Sequence, residues 1–205
     1  MRILFSLTLS TALLMTIACG PPSGQSEPEA AATPEATTDM ALGEETPGEE
    51  TEMTLGFTHA DLASLGDSGV DGKVSFAAVP GGVRVEAHVN GLTPGNHGFH
   101  IHDVGDCSSA DGSSAGGHFN PMAVDHAGPD ADTAHAGDLG NLQANDEGHG
   151  MVTMISKRIT LGDGTATDIM GRAVIVHADP DDMTSQPTGA AGGRVACGVI
   201  VSSSN

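Results

Sequence analysis

The chain has 205 residues, with 27 acidic against 7 basic side chains for a formal net charge of −20, and contains no Trp, no Tyr and five Phe. That length suits one domain with extensions. A charge of this sign excludes non-specific attraction to nucleic acid or anionic lipid. A core with so few rings must be aliphatic and modest, so a disulfide or bound metals would add needed stability.

After Met1 and Arg2, residues 3–18 read ILFSLTLSTALLMTIA, a basic start and an apolar run ending in small residues. That order predicts a secretory signal over residues 1–18, too short and wrongly flanked for a membrane span. TIAC, ending at Cys19, resembles the bacterial lipoprotein box, with Thr16 where the pattern prefers leucine. The resemblance implies that Cys19 is lipidated after cleavage and that the product is an exported, membrane-anchored lipoprotein of the cell envelope or periplasm. Residues 20–56 hold nine Asp or Glu and no Lys or Arg among many Pro, Ala, Gly and Thr. Such a segment buries too little apolar surface to offset its ordering entropy, so residues 19–56 are expected to be a lipidated cysteine and a disordered acidic tether. Residues 57–205 then form the domain, with 18 acids against 6 bases. With Cys19 consumed by lipid, Cys107 and Cys197 remain as an even pair, for which a disulfide is the default outside the cytoplasm.

Within the domain, short alternating runs follow one another: GKVSFAAV, GVRVEAHV, HGFHIHDV, GNLQAN, GMVTMIS, GRAVIVHA and ACGVIVS. Glycine-rich breaks and Val and Ile enrichment predict an all-β sandwich or barrel, with no amphipathic helix after the signal. Two connections are long, Asp103–Gly137 and Ala178–Gly193, and loops of that length in a compact domain are functional or stapled.

The run GNHGFHIHDVGD, residues 95–106, places His100 and His102 on one face of a strand and Phe99 and Ile101 on the other. The apolar pair fits a core, and the two imidazoles present lone pairs on the same side. The first long loop adds His118, His126, His135 and Asp138, spaced by eight, nine and three residues. Three imidazoles and a carboxylate make a tetrahedral zinc set. With His177 ending a strand in AVIVHADPDD there are seven candidate ligands, too many for one cation, and surplus imidazole suits copper.

GFHIHDVGDCSSADGSSAGGHFNP, HAGDLGN, GRAVIVHADPDD and GGRVACGVI resemble, in order, the signature segments of the copper/zinc superoxide dismutases, over about residues 60–203. The resemblance implies an eight-stranded Greek-key β-barrel with two long functional loops over the metals. It implies one copper and one zinc ion per subunit, copper on His100, His102, His118 and His177, and zinc on His118, His126, His135 and Asp138. His118 would bridge the two ions and take part in proton transfer. Asp181 would hydrogen-bond His100 and His126 together, with Asp179 and Asp182 as neighbouring competitors for that role. Arg194 would draw in and hold superoxide, and a Cys107–Cys197 disulfide would hold the first loop against the strand carrying it. The implied activity is disproportionation of superoxide to oxygen and hydrogen peroxide by a redox-cycling copper, in a monomer or homodimer that binds no nucleic acid. The alternative is a noncatalytic copper-binding or copper-delivery domain on the same fold. His97 reads as structural, and His59, His88 and His149 as solvated surface. Lys73, Lys157 and Arg158 are bases whose distance from the site the sequence does not fix.

Overall fold

Alternation of apolar and polar side chains turns directly into strands. In β3 (Gly82–Asn90), Val83, Val85, Ala87 and Val89 are buried, while Arg84 and His88 face solvent. The computed structural model describes residues 57–203, so the expected signal, Cys19 and acidic tether lie outside the described residues. The chain runs β1 (Phe57–Ser64), β2 (Asp71–Val79), β3, β4 (Gly95–His102), a short 3-10 turn at Ser113–Ala115, β5 (Asp138–Ala144) and β6 (Gly150–Ser156). It ends with β7 (Ala173–His177), β8 (Arg194–Val199) and β9 (Val201–Ser203), the last continuing beyond Ile200.

The hydrogen-bonded order is β2-β3-β6-β5-β4-β7-β8-β1, every pairing is antiparallel, and β1 pairs back onto β2 to close an eight-stranded barrel. Spatial order β3-β6-β5-β4 is a Greek key, because β6 returns beside β3 after β4 and β5 have been laid down. Rows along the wall are uneven. β3 and β6 pair from Val83↔Ser156 to Val89↔Gly150, whereas β5 meets β6 only at Gln143↔Met151 and Ala144↔Gly150. Where those two strands part, a cleft opens, lined by Pro129, Leu139, Met154, Arg158 and Met183 among others.

Val74, Val85, Phe99, Ile101, Leu142 and Val176 belong to the barrel core. Each large apolar side chain removed from water contributes about 1.5–3 kcal/mol. A smaller cluster, Leu65, Ala115, Ala173, Ile175 and Cys197, packs the first long loop onto the wall, and Cys107 joins Cys197 there in a disulfide.

The seven alternating runs all become strands, with two differences from the sequence reading. β1 is not among those runs. Its inward residues are Thr58, Ala60 and Leu62, small or polar enough to mute the alternation. A third long connection, residues 157–172, joins β6 to β7. It is held from within: the Asp168 carboxylate accepts from the backbone N–H groups of Gly162, Gly164 and Met170.

Candidate metal centre

Strand β4 ends in the alternation that the sequence displays. Phe99 and Ile101 enter the core, and His100 and His102, equally buried, project to the opposite side under the loops. A bulge between Gly98 and His100 breaks the register with β5 just there, which re-aims the following side chains. His177 comes from the end of β7, which pairs with β4 through Phe99↔Val176. His118 approaches from the first long loop, where it forms an isolated bridge with His102.

Two sets of donor atoms result, His100, His102, His118 and His177 in one and His118, His126, His135 and Asp138 in the other, each with its atoms within 4.8 Å of one another. All seven residues are buried. His118 belongs to both sets.

Hydrogen bonds fix which ring nitrogen each imidazole offers. His102 uses Nδ1 on the Gly116 carbonyl at 2.9 Å, which leaves Nε2, 3.4 Å from Nε2 of His177. His177 Nδ1 donates to the Gly192 carbonyl at 3.3 Å. His100 Nε2 meets Asp181 Oδ2 at 2.7 Å, and His126 Nε2 meets Asp181 Oδ1 at 3.0 Å. One carboxylate therefore orients an imidazole of each set, in the manner of carboxylates behind metal-bound histidines.

Whether these residues fit metal ions is tested by the atoms left over. Nδ1 of His100, Nε2 of His118, Nδ1 of His126 and Nδ1 of His135 are buried and make no hydrogen bond. Four such orphans in one place would be costly unless a ligand satisfied them. The last two stand 3.0 and 3.2 Å from the Asp138 carboxylate without hydrogen-bonding geometry, and His118 Nδ1 lies 2.8 Å from Asp138 Oδ1. Three nitrogens and a carboxylate oxygen thus converge as a zinc-type set, and four nitrogens as a copper-type set.

Protonation agrees. Burial pulls His102 down to about 2 and His177 to about 4, and it lowers His100 and His135 as well, with neighbouring imidazoles adding to the effect. These rings are neutral at physiological pH, with lone pairs available. For Asp138 burial pushes upward, but the hydrogen bond from His118 and the surrounding imidazoles win, so its carboxyl lies below the usual range and stays ionised.

Arg194, at the start of β8, is half-buried and donates to the Gly112 and Gly116 carbonyls, the latter at 2.6 Å. The Gly116 oxygen that orients His102 therefore also fixes Arg194. The Cys107–Cys197 disulfide ties this segment to β8, with Cα atoms 5.8 Å apart.

His97 is buried, hydrogen-bonded to the His177 and Thr93 carbonyls, and outside both sets. His88 and His149 are exposed and His59 is half-buried. Asp179 and Asp182 do not replace Asp181, for Asp182 is spent on Thr184 and Ser185. Sequence reasoning missed two amides. Gln186 pairs with both main-chain groups of His126, at 2.8 Å each, and Asn141 does the same for Asp181 at 2.8 and 2.9 Å. Gly189 has φ +66°, and a Cβ there would overlap Asp181 Oδ1 and crowd His126, so the backbone must come this close for the carboxylate to sit between the rings.

The family model described as copper/zinc superoxide dismutase matches residues 70–200. A solved structure, "Crystal Structure Analysis of the clock protein EA4", is similar at a TM-score of 0.65 and 36% identity, covering 72% of this chain and 95% of that one. Because the match covers more than half of the chain and takes in both long loops and all seven buried donors, this chain belongs to the copper/zinc superoxide dismutase family.

Proposed function

We propose that the protein disproportionates superoxide, two superoxide ions and two protons giving one oxygen and one hydrogen peroxide, at a copper ion flanked by zinc. The observation that carries this reading is the placement of His118, whose Nδ1 faces Asp138 while its Nε2 is buried without a protein partner. In this reading His100, His102, His118 and His177 hold copper, which supplies a one-electron couple, while His118, His126, His135 and Asp138 hold zinc, which supplies fixed charge. Arg194 docks the anion with the part of its donor fork not taken by the Gly112 and Gly116 carbonyls. When His118 Nε2 is not engaged as a ligand it would take a proton from solvent and pass it to the product peroxide, and solvent would give the second. Asp181 keeps the His100 and His126 rings in the orientation that presents Nδ1 of each.

The same reading takes residues 1–18 as an export signal, 19–56 as a lipidated tether and 57–205 as the catalytic domain, in a monomer or homodimer of the cell envelope. A disulfide in the domain supports an oxidising compartment. A noncatalytic copper-binding domain is the competing reading, favoured by the similarity to a protein described as a clock protein. Metal analysis of the purified protein beside a superoxide-consumption assay separates them. The enzyme reading expects one copper and one zinc per chain together with rapid consumption that collapses in Arg194→Ala. Protein loaded with both metals that consumes no superoxide would establish the competitor.

A further inference from the structure

The outer face of the β2-β3-β6 wall carries another group of donors. It lies at the end of the barrel where β4 begins, since Gly150 pairs with Ala144 and Ala144 with Gly95, whereas His100 and His102 lie where β4 finishes. Register sets the group out in two rows. Lys73, His88 and Met151 are successive partners across the three strands, and Asp71 is the partner of Asn90. One step beyond the Val89↔Gly150 pair, His149 comes beside Asn90. His149, one residue before β6 begins, therefore stands diagonal to His88; diagonal neighbours in a ladder have Cα atoms about 7–8 Å apart, within joint reach of two imidazoles.

The hydrogen bonds decide what His149 offers. The Asp71 carboxylate only accepts, so the Asn90 group facing it at 3.1 Å is the amide NH2, and the Asn90 oxygen must face His149. That oxygen accepts from His149 Nδ1 at 2.9 Å, which fixes the proton on Nδ1 and leaves the lone pair on Nε2. The His149 main chain is held as well, its N–H donating to Asn145 Oδ1 and its carbonyl accepting from the Asn145 N–H. An imidazole whose second nitrogen is anchored through an amide to a carboxylate has the support typical of a metal ligand. Beside it, His88 is exposed, and Met151 is 63% exposed. Lys73, the nearby cation of the row, is drawn to Asp61 at 3.2 Å.

We propose that His88, His149 and Met151 form a surface copper site, separate from the buried centre. Two imidazoles suit either oxidation state, and the thioether favours Cu(I).

Full-length protein, its buried centre first filled with copper and zinc, is titrated with further copper, as Cu(II) and, under ascorbate, as Cu(I). The readout is the difference in bound copper between the native protein and the His88→Ala/His149→Ala double variant, so it does not depend on how the buried centre loads. Native protein is expected to take one more ion than the double variant. Asn90→Ala is expected to weaken that binding by about tenfold or more, the effect of removing a group that orients a ligating imidazole. Met151→Leu should weaken Cu(I) far more than Cu(II), and superoxide consumption should be the same in all variants. Equal copper uptake by native protein and double variant overturns the site. A Met151→Leu variant that binds Cu(I) like the native protein overturns the part given to the thioether.

Discussion

Loss of one imidazole separates the two donor sets, because only His118 belongs to both. His118→Ala is expected to abolish superoxide consumption and to weaken zinc retention by at least about tenfold. His177→Ala, which removes a member of one set alone, should cost copper and leave zinc in place. Metal content after dialysis against a graded chelator series measures both, and native zinc retention in His118→Ala would show that the ring is not shared. The pair contrast matters more than either value, since both rings are buried and either truncation also leaves a cavity.

Among the elements, the first long loop depends most on a single bond. Cys107 and Cys197 are 90 residues apart in sequence, and closing a loop of that length in the unfolded chain is worth about 4–5 kcal/mol in the chain-entropy model. Cys107→Ser is expected to lower the denaturation midpoint accordingly. It should also reduce superoxide consumption per bound copper, because the Gly112 and Gly116 carbonyls that hold Arg194 belong to the segment released. Denaturant titration and activity normalised to copper check the two halves separately, and a variant with native activity per copper would show that the loop keeps its place unaided. How well the sequence displays an element follows from what the element buries. β3 alternates Val with charged or polar residues and is legible to within a residue, while β1 hides because Thr58 and Ala60 line its inner face. The seven donors that the fold brings together are readable as donors because imidazole and carboxylate announce their chemistry. Gln186, Asn141 and the Gly116 carbonyl work through main-chain groups that every residue carries, so no residue type or spacing marks them.

On the scale of the molecule, the domain is acidic and its bases are mostly engaged. Lys73 faces Asp61 at 3.2 Å, Arg172 faces Asp103 at 2.7 Å, Arg84 lies 3.9 Å from Glu86, and Arg158 donates to the Pro129 and Ala131 carbonyls. Lys157 shares the β5–β6 cleft with Asp130 and Asp132. On the proposed reading, superoxide would meet repulsion at long range and Arg194 at short range. Salt screens interactions beyond about 8 Å at physiological ionic strength, so it weakens the repulsion more than the local attraction. The second-order rate is expected to fall only shallowly, or to rise, as salt is added from low values. A steep fall measured by pulse radiolysis would mean that a positive funnel operates after all. The thin β5–β6 seam has a consequence of another kind. Eight strands close the barrel as a count, yet along Asp138–Leu142 and Val152–Ser156 these two edges are not laddered to each other. The cleft there is lined by side chains, and Arg158 reaches from its edge to the loop, a contact that can part without breaking a ladder. Breathing of the barrel should therefore begin at this seam, and the order in which amide protons exchange with deuterium should trace it, the seam-facing N–H groups of β5 and β6 leading while those shared by β3 and β6 come last.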